Sequence, residues 1–428
     1  MKIAKKILVV MFMLIISIVT ISCDKKEVIE PSVKPKYTLT VWGAENDQAM
    51  LKEMCNAFAA ANPQNEYKFL FGVQGEADSA DKVLNDVTSG PDVYSFASDQ
   101  INKLIAGGAL ARIGGENEKT VKEINSAGSV DAATITINGE NQLYAYPSTG
   151  DNNYFVYYDK RVFTDNSKLN TLDSMLEVAN TNGKKVHFKL NDDGWYLSSF
   201  FFSNPELKYD VTYNENMVEQ TVSINYDTLA GLEVMKSLRT YLAHPALVAN
   251  TDDSKIIAAL SENNGNIEAA AVVTGVWNRK TIENLLGENM GVAILPKVSI
   301  AGKEVQLSGY MGYKLIGVNG YSKNKGEAHK LAMWLTNEAN QLKRFNDRGF
   351  GPTNKVVSNM DVVKNDPVIS VILQQAQFNR AQKSVPGNYW TPMGSLITPI
   401  ITGYSEGKTL TDDELMELLA ATCNAIRK

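Results

Sequence analysis

The chain has 428 residues, a hydrophobic content of 44% and a formal net charge of −6 at pH 7. This length predicts two or more domains, and the hydrophobic content is that of a globular protein. The acidic balance, with no Lys/Arg cluster beyond short pairs, argues against nucleic acid as a partner.

The first 22 residues have the pattern of an export signal. Three lysines precede an apolar run over residues 7–21, and Ser22 is followed by Cys23. The run is shorter than the about 20 residues that a membrane-spanning helix needs. A cysteine directly after a small residue resembles the lipobox of bacterial lipoproteins, in which the signal is cut before the cysteine. We expect residues 1–22 to be a signal peptide and Cys23 to be lipidated, with plain secretion as the alternative.

The rest of the chain alternates short β-rich runs with amphipathic helices. Residues 23–36 show neither the helical nor the strand period of apolar residues and are rich in charge, which predicts a flexible tether. Folding is therefore expected to start near Tyr37. Periodicity and turn signals then predict strands over 36–42, 67–73, 92–97, 186–190, 269–274, 291–295 and 314–318. They predict helices over 48–61, 79–89, 99–106, 226–242, 252–261, 281–286, 327–335, 366–378 and 411–426, the last opening with a capping box. This alternation indicates an α/β fold with mostly parallel sheets.

Two cysteines follow Cys23, and each lies on the apolar face of a predicted helix. Cys55 and Cys423 are therefore expected to be buried free thiols, and a disulfide between them is the alternative. Their spacing indicates neither a metal site nor a redox pair. Phosphate-binding loops and dinucleotide-binding motifs are absent from the sequence, so we expect no cofactor.

Catalytic motifs are weak. Residues 403–407 spell GYSEG, the nucleophile-elbow pattern of α/β hydrolases, but all three histidines precede it, so a loop between two helices is the simpler interpretation. A glycosidase would need two carboxylates across a cleft, which the sequence neither indicates nor excludes. We expect a protein that is not an enzyme.

Short segments in a characteristic order run along the chain: TVW at 40–42, FAAANP at 58–63, GPDV at 90–93, LIAGGAL at 104–110, YAYP at 144–147, YFVYYD at 154–159, AAVVTGVW at 270–277, GVAILP at 291–296 and YWTPM at 389–393. In this order they resemble extracellular solute-binding proteins of the maltose and maltodextrin type, the receptors of ABC sugar importers. The resemblance implies a two-lobe periplasmic-binding-protein fold with a ligand cleft between the lobes. Residues 37–148 and 313–363 would form lobe one, and residues 149–312 and 364–428 lobe two.

The resemblance also assigns ligand-binding residues. A sugar offers apolar C–H faces to aromatic rings and hydroxyls to carboxylates. The implied stacking residues are Trp195, Trp277 and Trp390 of lobe two and Trp42 and Phe96 of lobe one, with Tyr310 and Tyr389 as weaker candidates. The implied partners of hydroxyls are Glu45, Asp47, Asp99 and Asp193. For each ring a place in the core is the alternative, and for each acid a solvated position; Trp334 is expected in the core.

The implied function is that of a monomeric extracytoplasmic receptor, anchored to the membrane through lipidated Cys23. It would bind an oligosaccharide, maltodextrin-like or another carbohydrate, and deliver it to the membrane subunits of an ABC importer. The same fold with a non-sugar solute, and less favourably a surface glycoside hydrolase, are the alternatives.

Overall fold

The computed structural model describes residues 34–263 and 266–428. The predicted signal peptide, Cys23 and nearly all of the tether lie outside these ranges. Among the helices described, none is both long and apolar enough to cross a membrane.

The described residues form a succession of strands and helices. The strands are β1 Lys36–Gly43, β2 Glu66–Val73, β3 Val93–Ala97, β4 Thr134–Ile137, β5 Glu140–Leu143, β6 Ala145–Asn152, β7 Tyr154–Asp159, β8 Lys185–Phe188, β9 Tyr209–Tyr213, β10 Glu219–Ile224, β11 Leu247–Ala249, β12 Ala269–Gly275, β13 Met290–Ala293, β14 Lys297–Ile300, β15 Lys303–Gln306, β16 Tyr310–Val318 and β17 Arg380–Ala381. The α-helices are α1 Gln48–Ala61, α2 Ser79–Asn85, α3 Ile101–Ala106, α4 Gly115–Ile124, α5 Ala127–Ala132, α6 Leu172–Thr181, α7 Gly194–Phe202, α8 Leu229–Leu242, α9 Asp253–Leu260, α10 Arg279–Leu286, α11 Lys325–Leu335, α12 Glu338–Arg348, α13 Lys355–Ser358, α14 Asp361–Lys364, α15 Pro367–Ala376, α16 Trp390–Ser395, α17 Thr398–Ser405 and α18 Asp412–Ile426.

The first sheet has the order β17-β16-β3-β1-β2, and β6 also pairs with β16. β1 is parallel to β2 and β3, whereas β16 is antiparallel to β3 and β6. Alternate residues of β1, Leu39 and Val41, are buried against the apolar faces of the surrounding helices, including Met54 and Phe58 of α1. This cluster is the core of lobe one.

The second sheet has the order β11-β8-β12-β7-β13. β8 is parallel to β11 and β12, whereas β7 is antiparallel to β12 and β13. Both faces of this sheet are covered: Val156 of β7 belongs to one apolar cluster, and Phe155 and Tyr157 belong to another on the opposite face. Burial on both faces explains the continuous apolar runs of β7 and β12. The expected α/β class with two lobes is confirmed, although both sheets are mixed.

The chain passes between the sheets at Asn153, which separates β6 from β7. The side chain of Asn153 is buried and donates a hydrogen bond to the carbonyl of Ile372 (3.3 Å). Phe350 and Val363, which follow α12 in the sequence, are buried in a cluster with Phe155 and Tyr157 of the second sheet. The domain boundaries stated above stay a prediction.

The hairpin β9–β10 is a further contact between the lobes. Met217 in its turn has φ +60°, a left-handed backbone that costs a residue with a side chain about 1–2 kcal/mol. Met217 is nevertheless buried, in the apolar cluster of lobe one, and Tyr213 packs against the same cluster. Tertiary contact therefore holds this turn in its conformation.

Several local expectations can be compared directly. The capping box at the start of α18 is present, formed by Thr411 and Glu414. Cys55 and Cys423 are buried and free, so the alternative of a disulfide is wrong. The GYSEG segment begins in the last turn of α17, and only its end lies in the connection to α18. Trp334 is half-buried against the core of lobe one, where its Nε1 donates to the carbonyl of Met54.

Candidate ligand-binding site between the lobes

The predicted acids of lobe one follow the C-terminal ends of two parallel strands. Glu45 and Asp47 follow β1, and Asp99 follows β3. In open α/β sheets ligands bind outside these strand ends. Glu45 is exposed. Asp47 is buried, and its Oδ1 accepts a 2.8 Å hydrogen bond from Nε of Arg348, so its charge is already compensated within the protein.

Asp99 is the acid of lobe one that reaches toward lobe two. Its Oδ1 accepts a 3.0 Å hydrogen bond from Nε2 of Gln382. Burial raises the pKa of Asp99 to about 6, while Lys103 and hydrogen bonding by Trp390 and Gln382 work against the rise. Because Trp390 packs against the apolar cluster of lobe two, this carboxyl group lies between the lobes.

Trp277 and Trp195 form a pair on lobe two. Both are half-buried, their ring centroids are 5.8 Å apart, and the planes are tilted by 47°. Nε1 of Trp277 donates a 2.9 Å hydrogen bond to Oδ2 of Asp253. A Cβ at Gly275 would lie 2.0 Å from Cζ3 of Trp277, so only glycine lets the indole lie against the end of β12. Trp195 meets Tyr154 edge-on at 4.6 Å.

Trp390 is held from behind by two tyrosines. It meets Tyr310 at 5.3 Å and Tyr389 at 5.2 Å, edge-on in both cases. Tyr310 and Tyr389 are themselves completely buried. Both tyrosines were weaker candidates for stacking on a ligand, but their buried rings offer no exposed face. They support Trp390 and do not line the site.

Asp193 has a structural role at the start of α7. Its Oδ1 accepts hydrogen bonds from the backbone N–H groups of Trp195 and Tyr196, and its Oδ2 lies 3.0 Å from Nζ of Lys189. Burial raises the pKa of Asp193, and Lys189 opposes the rise. Both oxygens are therefore engaged, and Asp193 acts on the site by fixing the helix that carries Trp195.

The two predicted rings of lobe one have different positions. Phe96 is fully buried in the core, 5.8 Å from the ring of Tyr94, which corrects the expectation that it stacks on a ligand. Trp42 is half-buried beside Gly72, where a Cβ would come within 2.4 Å of its Cδ1, and it lines a small cavity together with Asp47 and Arg344.

Four polar residues near these rings were not predicted: Asp253, Gln382, Glu76 and Lys314. Asp253 orients Trp277. Gln382 joins Asp99 to Asn152 of β6, because its Nε2 donates to Asp99 and its Oε1 accepts a 3.0 Å hydrogen bond from Nδ2 of Asn152. Of these four, only Asp253 could have been noticed from the sequence near it, because acidic residues are favoured in the first turn of a helix. The contacts of Gln382, Glu76 and Lys314 are with residues distant in the sequence, so no local pattern reveals them.

Comparison with known proteins identifies the family. A family model described as "Bacterial extracellular solute-binding protein" matches residues 53–370. The chain belongs to this family. The solute-binding family confirms the expectation of a binding protein that is not an enzyme, and it places the chain outside the cytoplasm.

Individual relatives of this solute-binding protein cover nearly its whole length. The galactooligosaccharide-binding protein of Bacillus subtilis is 24% identical over 421 residues, 96% of each chain. A structure solved with acarbose is 32% identical, covers 92% of this chain and 99% of its own, and has a TM-score of 0.79. A maltodextrin-binding protein from L. casei, solved without ligand, is 20% identical, covers 92% and 99%, and has a TM-score of 0.72. The structural similarity to this maltodextrin-binding protein confirms the two-lobe fold.

Proposed function

We propose that this protein is a receptor for an oligosaccharide, held between its lobes and delivered to an ABC importer. The observation that carries the proposal is the arrangement of three half-buried indoles, Trp195, Trp277 and Trp390, beside the carboxylates of Asp99 and Asp253. Indole faces suit the C–H faces of sugar rings, and carboxylates accept hydrogen bonds from hydroxyls.

The relatives support the same ligand class. The names of two relatives give a galactooligosaccharide and a maltodextrin as ligand, and a third structure was solved with acarbose. All three compounds are oligosaccharides or resemble them. Stacking on successive indoles also suits a chain of sugar units better than a single small ion.

Closure of the lobes would couple binding to delivery. The strands near 147–152 and 309–312 connect the two sheets, and we propose the hinge there. A ligand that touches both lobes is bound most tightly when the lobes are closed, and it shifts the population toward that state. The importer would then recognise the closed receptor. We keep as proposals the anchor at Cys23, the monomeric state and the domain boundaries.

Intrinsic tryptophan fluorescence tests the proposed site. Maltotriose, a galactooligosaccharide and acarbose should each be titrated into the wild type and into Trp277→Ala, Trp390→Ala and Trp334→Phe. We expect the fluorescence response and affinity to fall in the first two variants and to persist in Trp334→Phe, because Trp334 packs against the lobe-one core and its Nε1 donates to the carbonyl of Met54. No response to any sugar, or equal loss in all three variants, contradicts the proposal.

A further inference from the structure

Lys314 has unusual surroundings for a lysine. It lies within β16, opposite Ala97 of β3 and Thr149 of β6, and only 7% of its surface is exposed. Interior strands of a sheet usually carry apolar residues. Burial of an ammonium group costs free energy unless partners compensate its charge and its donors. The surroundings of Nζ therefore indicate what this side chain does.

The ammonium group lies between the two lobes. Nζ is 4.4 Å from the ring centroid of Phe350 and 5.9 Å from that of Trp277, above the ring face in each case. It is 3.9 Å from Oε2 of Glu76. Glu76 belongs to lobe one, since its carbonyl accepts a hydrogen bond from the N–H of Ala97, whereas Trp277 belongs to lobe two.

These contacts compensate the charge of Lys314 without using its donors. A separation of 3.9 Å is an ion-pair distance, but it is longer than the about 2.7–3.2 Å of an N–H···O hydrogen bond. Aromatic faces attract a cation electrostatically and accept no conventional hydrogen bond. An ammonium group carries N–H donors only, and within the described part of the chain Nζ has no hydrogen-bond acceptor at bonding distance.

We propose that Lys314 is a specificity-determining residue whose ammonium group donates a hydrogen bond to a ligand oxygen held above Trp277. This inference rests on the proposed oligosaccharide function. A sugar ring stacked on the face of Trp277 that Nζ overlies would bring its oxygens toward Nζ. Whether an oxygen points at Nζ depends on the configuration of one ring carbon. Lys314 therefore separates epimeric sugars.

The test compares two probes that differ only in the configuration at C4 of the unit at the non-reducing end, maltotriose and its epimer with a terminal galactose, by titration calorimetry. We expect the wild type to prefer one of them. Lys314→Met keeps the length of the apolar stem and removes the ammonium group. It should lower the affinity for the preferred sugar about 10- to 100-fold, which is the range for a hydrogen bond from a charged donor. The affinity for the other sugar should change less than about threefold. Lys314→Arg should recover part of the preference, and Lys330→Met, at an exposed ion-paired lysine of α11, should leave both affinities unchanged.

The outcomes separate this inference from the proposed function. If the wild type binds neither probe nor any other oligosaccharide, the proposed function fails. If the wild type binds both probes equally, or if Lys314→Met weakens both equally or neither, the specificity role is overturned. If Lys314→Met does not fold, the double variant Lys314→Met/Glu76→Gln replaces it, because removing both charges leaves no carboxylate of Glu76 without its ion-pair partner. An unchanged ratio of the two affinities in the double variant would then contradict the role of Lys314.

Discussion

Nε1 of Trp277 donates a 2.9 Å hydrogen bond to Oδ2 of Asp253. Trp277 follows the end of β12, and Asp253 lies in the first turn of α9. The hydrogen bond therefore lets two elements fix the orientation of one indole. An aromatic ring that is already ordered loses less conformational entropy when a ligand stacks on it. Asp253 is therefore a positioning residue for Trp277.

Substitution of Asp253 should weaken binding through Trp277. Asp253→Ala removes the acceptor, and we expect about a two- to tenfold loss of oligosaccharide affinity, since ordering a free side chain costs about 0.5–1.5 kcal/mol. Asp253→Asn keeps an oxygen acceptor and should lose much less. Calorimetry of both variants measures the difference. Equal affinities of Asp253→Ala and the wild type would remove the positioning role.

Asp99 predicts a specific pH dependence of stability. In the folded protein it keeps its proton up to about pH 6, whereas an unfolded aspartic acid loses its proton near pH 3.9. The folded state binds more protons between these values, so the contribution of Asp99 to the free energy of unfolding falls as the pH rises from about 4 through 6. Asp99→Asn removes this titration.

Urea unfolding of Asp99→Asn and the wild type measures this effect. We expect the free energy of unfolding of the variant, relative to the wild type, to rise by roughly 2 kcal/mol between pH 4 and pH 7. Other titrating groups are common to both proteins and cancel in the difference. A difference that does not change with pH would mean that Asp99 has an ordinary pKa.

Tyr310 should act on the site only through its ring. Tyr310→Phe removes the 3.0 Å hydrogen bond to the hydroxyl of Tyr209 and should cost about 1 kcal/mol of stability, with little change in ligand affinity. Tyr310→Ala leaves a cavity behind Trp390 and should cost about 3–5 kcal/mol and lower the affinity as well. Thermal unfolding and calorimetry separate the two effects. An affinity loss in Tyr310→Phe as large as in Tyr310→Ala would instead show that the hydroxyl itself matters.

Sequence patterns predicted the elements that are amphipathic and well delimited. Helix α1 and strand β1 agree with their predicted bounds to within one residue, because each has one buried face. Helix α7 was missed: its sequence GWYLSSFFF is buried almost all round, so it has no polar face that would reveal a helical period. Helix α2 ends at Asn85, four residues before the predicted end, because the segment Asp86 to Ser89 forms its own hydrogen-bonded turn.

Ligand contact by the site residues that the resemblance implied stays a prediction. Of the three indoles of lobe two, Trp195 and Trp277 lie 5.8 Å apart, and each of the three follows or begins a regular element whose position the fold fixes. The roles of Asp47 and Phe96 could not be predicted, because they depend on contacts with residues far along the chain. Arg348, which pairs with Asp47, and Gly317, against which Phe96 packs, belong to the segment 313–363 that was predicted to return to lobe one.

Phe96 provides a control for these assignments. Because it is fully buried in the core of lobe one, Phe96→Leu should lower the free energy of unfolding by about 1 kcal/mol and leave oligosaccharide affinity unchanged within about twofold. Urea unfolding and calorimetry of the same preparation provide both values. A large loss of affinity without a loss of stability would return Phe96 to the ligand site.

Titration calorimetry of the wild-type protein with a panel of oligosaccharides tests the central claim most directly. Maltotriose, maltotetraose, galactotriose and acarbose cover the ligand classes suggested by the relatives. We expect saturable heat with at least one of them, one ligand per chain, and loss of that heat in the double variant Trp277→Ala/Trp390→Ala. Heat with none of these sugars, or heat that the double variant retains in full, would contradict an oligosaccharide site between the lobes.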